Sequence, residues 1–182
     1  MIDHKTLEKE TKNLIGQIGQ NPTIIVGFSG GPDSVFLLHL LKKLRDAGRC
    51  SIVAAHLNHG WRAEAEQDVA WCKVLCKQLD IPFVTGHGND FPIDKKYDGS
   101  AEAVGRKKRQ LFFARVMQQY NAQAIALGHH LDDQIETFFI RLARGSSLSG
   151  LHGMATYDGT FLRPLLGISK QEILAYLAKH TI

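Results

Sequence analysis

Apolar positions along this chain follow two periods. Short, nearly continuous apolar runs lie at residues 23–28, 51–57, 83–85, 124–127 and, more weakly, 160–162, and read as strands. Between them, apolar residues recur every three or four positions over 34–47, 63–79, 100–120, 132–143 and 170–180, which predicts helices. Strands that are apolar without alternation are buried on both faces, and strands alternating with helices pair in parallel through right-handed crossovers. The expected fold is a doubly wound α/β domain: a mainly parallel sheet of about five strands with helices on both faces. The helix over 132–143 carries Ile135, Phe138, Phe139 and Leu142 on one stripe, expected to be its buried face. Two connections, 86–99 and 144–159, are long for a compact domain and read as lids or binding loops.

Composition narrows the class without choosing a chemistry. A length of 182 residues at 44% hydrophobic supports one well-buried core, and no compositional break asks for a second domain over 1–182. The 22 Lys and Arg against 18 Asp and Glu leave a net charge of +4, which permits a polyanionic partner without requiring one. No apolar run is long enough to span a bilayer, and residues 1–20 are charged and amide-rich rather than signal-like. A cytoplasmic protein with no membrane partner is expected. Cys50, Cys72 and Cys76 are an odd set, which argues against a disulfide framework, and the last two share a helical stripe with Val69, Leu75 and Leu79, as core residues do.

In a doubly wound sheet, ligands bind beyond the carboxyl ends of the strands, so the strand-to-helix corners carry the chemistry. The first corner is IIVGFSGGPDSVFLLHLL, residues 24–41. Gly30 and Gly31 allow positive φ and close approach of backbone amides to an anion, and Ser34 with a helix from Val35 brings a partial positive charge to the same place. A Walker loop would continue with Gly-Lys-Ser/Thr, and the dinucleotide pattern Gly-x-Gly-x-x-Gly is missing too. Asp33 stands where a lysine would be expected, and a carboxylate beside phosphates makes sense when a divalent cation lies between them. The plainer alternative is a strand–helix turn with an acid in the helix's first turn.

The second corner is AAHLNHGWR, residues 54–62, where His56 and His59 read as a structural pair more readily than as metal ligands. Its place beside the first corner puts the backbone around His56 and Leu57 at the same ligand edge. The third, GHHLDDQIETFFIRLARGSSLSGL, residues 128–151, sets Asp132, Asp133 and Glu136 within one turn, directly after His129 and His130. Acids in a first turn stabilise a helix by about 0.3–1 kcal/mol each, but so many ionisable groups at a ligand edge favour a functional role. Zinc is hard to draw from this set, because the cysteines are elsewhere and the histidines are adjacent. The run 100–116 concentrates Arg106, Lys107, Lys108, Arg109 and Arg115, either as a solvated helical face or as a positive field for RNA or a triphosphate. Gly105 within it weakens the helix by about 1 kcal/mol relative to Ala.

Ser29-Gly30-Gly31-Pro32-Asp33-Ser34 resembles the PP-loop motif, Ser-Gly-Gly-x-Asp-Ser, of the ATP pyrophosphatases, which cleave ATP between the α and β phosphates and adenylate a substrate oxygen. Other segments are similar to one group, the tRNA(Ile)-lysidine synthetases. These are His-x-Asn-His-x-x-Arg at 56–62, with Trp61 where leucine is usual, the His-His-x-Asp-Asp-x-x-Glu-Thr and Arg-Gly-Ser-x-x-x-Gly-Leu blocks from 129, and Arg163-Pro164-Leu165-Leu166. A further pattern, Ser-x-Glu-x-x-Ala-Arg-x-x-Arg-Tyr, is met at Ser100, Glu102, Arg106 and Arg109 but departs at Gly105 and Gln110.

The resemblance implies an adenine nucleotide alpha hydrolase-like fold, with ATP and Mg²⁺ as cofactors and a definite reaction. The C2 oxygen of the wobble cytidine in the CAU anticodon of tRNA(Ile) is adenylated, and the ε-amine of L-lysine then displaces AMP. It implies Ser29, Gly30, Gly31, Pro32, Asp33 and Ser34, with His56 and Leu57, for ATP, and Asp33 for the metal. Asp133 and Glu136 would hold the lysine ammonium and take its proton. Arg106, Arg109 and Arg144 would contact phosphate or RNA, with Arg106 in the catalytic set. A homodimer is one expected assembly. The similarity runs from residue 23 to about residue 180, while members of the group usually continue further, so a catalytic domain without the tRNA-selecting C-terminal regions is expected. A 2-thiocytidine synthetase is the enzyme alternative, weakened because Cys72 and Cys76 are spaced Cys-x-x-x-Cys rather than Cys-x-x-Cys. A nucleotide-binding domain or inactive fragment that never cleaves ATP is the other.

Overall fold

The computed structural model describes residues 3–61, 64–93, 99–145 and 152–182. Parts of both long connections (94–98 and 146–151), with Arg62 and Ala63, lie outside them. In chain order the elements are α1 (His4–Ile18), β1 (Thr23–Gly27), α2 (Pro32–Asp46), β2 (Ser51–Asn58), α3 (Ala65–Gln78), β3 (Phe83–His87), a 3₁₀ turn (Gly88–Asp90), α4 (Ala101–Tyr120), β4 (Ala124–Ala126), α5 (Leu131–Ala143), β5 (Phe161–Leu162) and α6 (Lys170–His180).

The five strands form one sheet in the order β3-β2-β1-β4-β5, and every neighbouring pair is parallel. β1 alternates its burial between the two faces. Ile24 and Val26 join Phe28, the leucines of α2, Cys72, Cys76 and Ile173 on one side, while Ile25 packs with Val53, Phe112, Phe113 and Val116 on the other. Both faces are thus covered, as expected of strands that are apolar throughout. No described helix is long and apolar enough to cross a membrane.

One helix goes beyond the sequence reading, and one expectation needs correction. Residues 4–18 form a helix that charge content had obscured; Leu7, Thr11 and Ile15, four apart, bury one narrow face, and Asp3 caps the start by accepting the Lys5 amide. The apolar stripe of α5 is not buried. Ile135, Phe138, Phe139 and Leu142 are all exposed, Phe139 at 60%, and no residue of α5 is buried. Periodicity identified an apolar face, but within the described residues no element covers it.

Candidate functional site

Three helix starts meet beyond the carboxyl ends of β1 and β4. α2 follows β1, α5 follows β4, and α6 is tied in by the Leu131 amide on Ile168 O at 2.8 Å and the Lys170 amide on Asp132 Oδ2 at 2.9 Å. Each helix start offers amides without intrahelical partners and a partial positive charge, so an anion is favoured where they converge. The place is the topological switch point, since the crossovers from β1 lead to β2 on one side and the sheet continues through β4 on the other.

The loop between β1 and α2 uses its two glycines differently. Gly30 has a φ of +84°, the left-handed conformation that glycine enters freely, whereas Gly31 is extended and caps α2. The helix opens at Pro32, two residues ahead of the expected start, because proline at the first helical position has no amide to leave unpaired. Ser34 is therefore inside the first turn. Its hydroxyl donates to Gly31 O at 2.8 Å, and Ser29 Oγ accepts the Gly31 amide at 3.3 Å, which holds the loop open from within. The segment after β4 runs hard against this turn: a Cβ on Gly128 would stand 3.1 Å from the Asp33 backbone carbon and oxygen.

Asp33 is the centre of an ionic cluster. Its Oδ2 accepts from Lys170 Nζ at 2.5 Å and lies 3.8 Å from His130 Nε2. Its Oδ1 is buried with no hydrogen-bond partner. An orphaned carboxylate oxygen is costly, and a hard cation is the ligand that would satisfy it. Among the described residues no three His, Cys, Asp or Glu side chains gather as a ready-made metal site. A cation on Asp33 would therefore complete its shell with phosphate oxygens and water, as Mg²⁺ commonly does.

The two aspartates that open α5 have structural duties. Asp133 Oδ2 accepts the His130 amide at 2.8 Å and lies 3.4 Å from His130 Nδ1, while Asp132 caps α6 through Lys170. A cavity of about 410 Å³ is lined by Ser29, Asp33 and Ser34 of the loop and first turn, His56 and Leu57 of β2, His59 and Trp61 just after it, Arg109 of α4, and His129 and Asp133. Gly30 and Gly31 border an adjoining recess with Trp71. Glu136 and Arg106 are exposed and stand outside the cavity lining, as does Arg144 at the end of α5.

Three of the cavity histidines, His56, His59 and His129, are biased toward the neutral form. Burial lowers the pKa of His56, and its Nδ1 sits 2.9 Å from the Phe28 carbonyl; a carbonyl only accepts, so Nδ1 carries the proton. Burial also lowers His59, helped by Arg109 and Lys108, and lowers His129 against the opposing pull of Asp133. The cysteines are core residues, with Cys72 pushed up to about 12 and Cys76 to about 11 by burial.

Two residues of this site escaped sequence reasoning. Lys170 reaches Asp33 across 137 positions, and the only hint was the lysine that the loop itself lacks. Trp61 was seen merely as a departure from a family pattern, yet it forms part of the cavity wall.

Comparison with known proteins agrees with this geometry. A family profile described as a PP-loop domain matches residues 3–182. The chain is 41% identical over 165 residues to the tRNA(Ile)-lysidine synthase of Bacillus cereus, covering 88% of this chain and 35% of that protein. It is 38% identical over 174 residues to the Clostridium tetani protein of the same name, covering 94% and 37%. It thus spans about a third of the length of these relatives. Among solved structures it is similar to the U34-tRNA thiolase NcsA of Methanococcus maripaludis, with a TM-score of 0.77 at 19% identity over 97% of this chain and 65% of that one. It is also similar to the NH3-dependent NAD synthetase of Campylobacter jejuni, with a TM-score of 0.63 at 16% identity over 99% and 74%. With its anion loop, its switch-point cavity and this family match over nearly its whole length, the chain belongs to the PP-loop domain family, an ATP-binding family.

Proposed function

We propose that this chain is a catalytic domain that adenylates the C2 oxygen of the wobble cytidine in the CAU anticodon of tRNA(Ile) and then joins L-lysine to that carbon, releasing pyrophosphate and AMP. The observation that carries the reading is Asp33, with one oxygen buried and unpartnered and the other on Lys170, at the floor of a cavity that opens from an anion loop. The names of the relatives supply the substrate.

ATP lies with its adenine against the ends of β1 and β2, near His56 and Leu57, and its phosphates over Ser29 to Ser34. Asp33 would hold Mg²⁺, which when bound would supply positive charge against the pyrophosphate. The loop amides and the α2 terminus, fixed before reaction, stabilise the pyrophosphate charge without reorganising. Lys170, freed from Asp33, meets the phosphate oxygens and does the work of the lysine that the loop lacks. The C2 oxygen attacks the α-phosphorus and the bond to the bridging oxygen breaks.

Lysine enters as an ammonium with a reference pKa of about 10.4 and must lose a proton before its nitrogen can attack C2. Asp133, on the cavity side, holds the ammonium, and Glu136, one turn further on, receives the proton. Arg109, in the cavity lining, with Arg106 and Arg144 outside it, contacts the RNA backbone.

The test is incubation with ATP, Mg²⁺, radiolabelled lysine and an unmodified tRNA(Ile) transcript. Label should enter the RNA with equimolar AMP and pyrophosphate, and Asp33→Ala should abolish both. Equal labelling of a tRNA with another anticodon would refute the substrate assignment.

A further inference from the structure

An aromatic pair in the cavity lining is not used by the chemistry above. His59 and Trp61 stack with ring centroids 4.5 Å apart and an angle of 20°. The indole also rests against α4 at a position where an added Cβ would force the ring to shift. A Cβ on Gly105 would stand 2.6 Å from the Trp61 Cη2 and Cζ2 atoms. Gly105 is buried in the interior of α4 and takes a helical conformation, so no backbone requirement calls for glycine there. Its lack of a side chain serves the indole. One face covered by His59 and one edge seated on Gly105 still leave Trp61 63% exposed, and it borders the cavity. A large aromatic held flat, from both the covered face and the edge, yet open to solvent at a site mouth is built to be covered by something else.

We propose that Trp61, backed by His59 and seated on Gly105, is a stacking platform for an unpaired base of the RNA substrate. This rests on the RNA reading of the site given above. A planar, π-faced ligand suits an indole, and stacking is the usual means by which proteins hold bases splayed out of RNA loops. The surrounding charge suits a polyanion: Arg109 shares the lining, and Arg109 with Lys108 disfavours protonation of the neighbouring His59. With the adenine of ATP assigned to His56 and Leu57, His59 and Trp61 of the same cavity lining are left for a second planar ring.

The experiment uses the 182-residue chain with Trp71→Phe, so that Trp61 is the sole remaining indole of the two. Its fluorescence is followed during titration with ATP and, separately, with an anticodon stem-loop RNA bearing CAU. The RNA should quench it and ATP should not. Trp61→Leu should weaken RNA binding by about tenfold, within the 5- to 150-fold that one base stack is worth, and leave the Kd for ATP unchanged. Gly105→Ala should weaken RNA binding to a similar degree while holding or raising the melting temperature, because it evicts a surface indole and improves helix propensity. In the Trp61→Leu background, Gly105→Ala should have no further effect on RNA. Quenching by ATP alone, or RNA affinity unaffected by Trp61→Leu, would overturn the platform while leaving the tRNA reading intact. If the unaltered chain binds ATP but no RNA at all, the RNA reading fails and the platform falls with it.

Discussion

Replacing Lys170 by methionine keeps the length of the side chain and removes its charge. In the resting protein the ammonium sits 2.5 Å from Asp33 Oδ2, with the two side chains 37% and 23% exposed. A partly exposed pair of this kind is worth about 1 kcal/mol or less to folding, so the melting temperature should move by only a few degrees. The functional effect should be larger. A unit charge about 4 Å from a phosphate oxygen interacts by about 4 kcal/mol at an effective dielectric of 20, and by about 1 kcal/mol in bulk water. With Lys170 about one-third exposed, a loss of about 1.5–2 kcal/mol is the reasonable middle, which weakens ATP binding by about 10- to 30-fold. Mg²⁺ should respond in the opposite sense. The ammonium and the cation compete for Asp33, so the methionine variant should bind Mg²⁺ more tightly when nucleotide is absent. Isothermal titration of ATP at fixed Mg²⁺, and of Mg²⁺ alone, reads both effects, and Lys170→Arg should restore most of the ATP affinity. If ATP affinity and Mg²⁺ dependence both stay unchanged in a folded methionine variant, Lys170 is a fold-stabilising ion pair and nothing more.

Other outcomes follow from the same geometry. Gly128→Ala should lower ATP affinity with little gain in exposure elsewhere, because the added carbon meets backbone atoms of Asp33 and Ser34 at 3.1–3.3 Å and must displace the first turn of α2; unchanged nucleotide titrations would show that the turn is soft. Phe139→Ala should cost under 1 kcal/mol in urea denaturation, whereas Phe112→Ala should cost about 3–5 kcal/mol, since the first ring is 60% exposed and the second 2%. Equal costs would mean that α5 is buried after all. Stability should fall as pH drops below about 6.5: His56 has a lowered pKa in the fold, so below its unfolded value the unfolded chain binds the extra proton, and the loss continues down to the folded pKa. The slope is at most about 1.4 kcal/mol per pH unit for this one residue, and His56→Leu should flatten it. A denaturation midpoint that does not change between pH 7.5 and 5.5 would contradict this.

What the sequence disclosed and what it withheld divide along physical lines. The strands were legible because a doubly covered parallel sheet leaves no polar alternation, and β1 and β2 carry Ile, Val and Ala almost without interruption. The anion loop was legible because glycine, proline and serine act locally. Even there, which glycine needed positive φ depended on where Pro32 opened the helix. α1 was hidden because its buried face is only Leu7, Thr11 and Ile15 among many charges. The stripe on α5 was read correctly as apolar and wrongly as covered, since periodicity reports a face and not its neighbour. Arg106 and Arg109 lie less than one turn apart, yet only Arg109 borders the cavity, and that difference of helical phase needs the docked helix to be seen. Lys170 and the fit of Trp61 to Gly105 are contacts between segments distant in the chain, which no local pattern encodes.

The pairing of Asp33 with Lys170 also bears on the order in which the protein acquires its properties. Closing a loop of 137 residues costs entropy that is recovered only once both ends are docked, and contacts this distant form late and slowly. β1 lies between β2 and β4, and β4 comes about a hundred positions after it, so even the central strand waits for a distant neighbour. During synthesis, the SGGPDS loop would emerge early and stand incomplete until α6 had left the ribosome. Nucleotide affinity would then mature only after most of the sheet, and a chain stalled short of Lys170 would hold that sheet while lacking the cation that sits on Asp33.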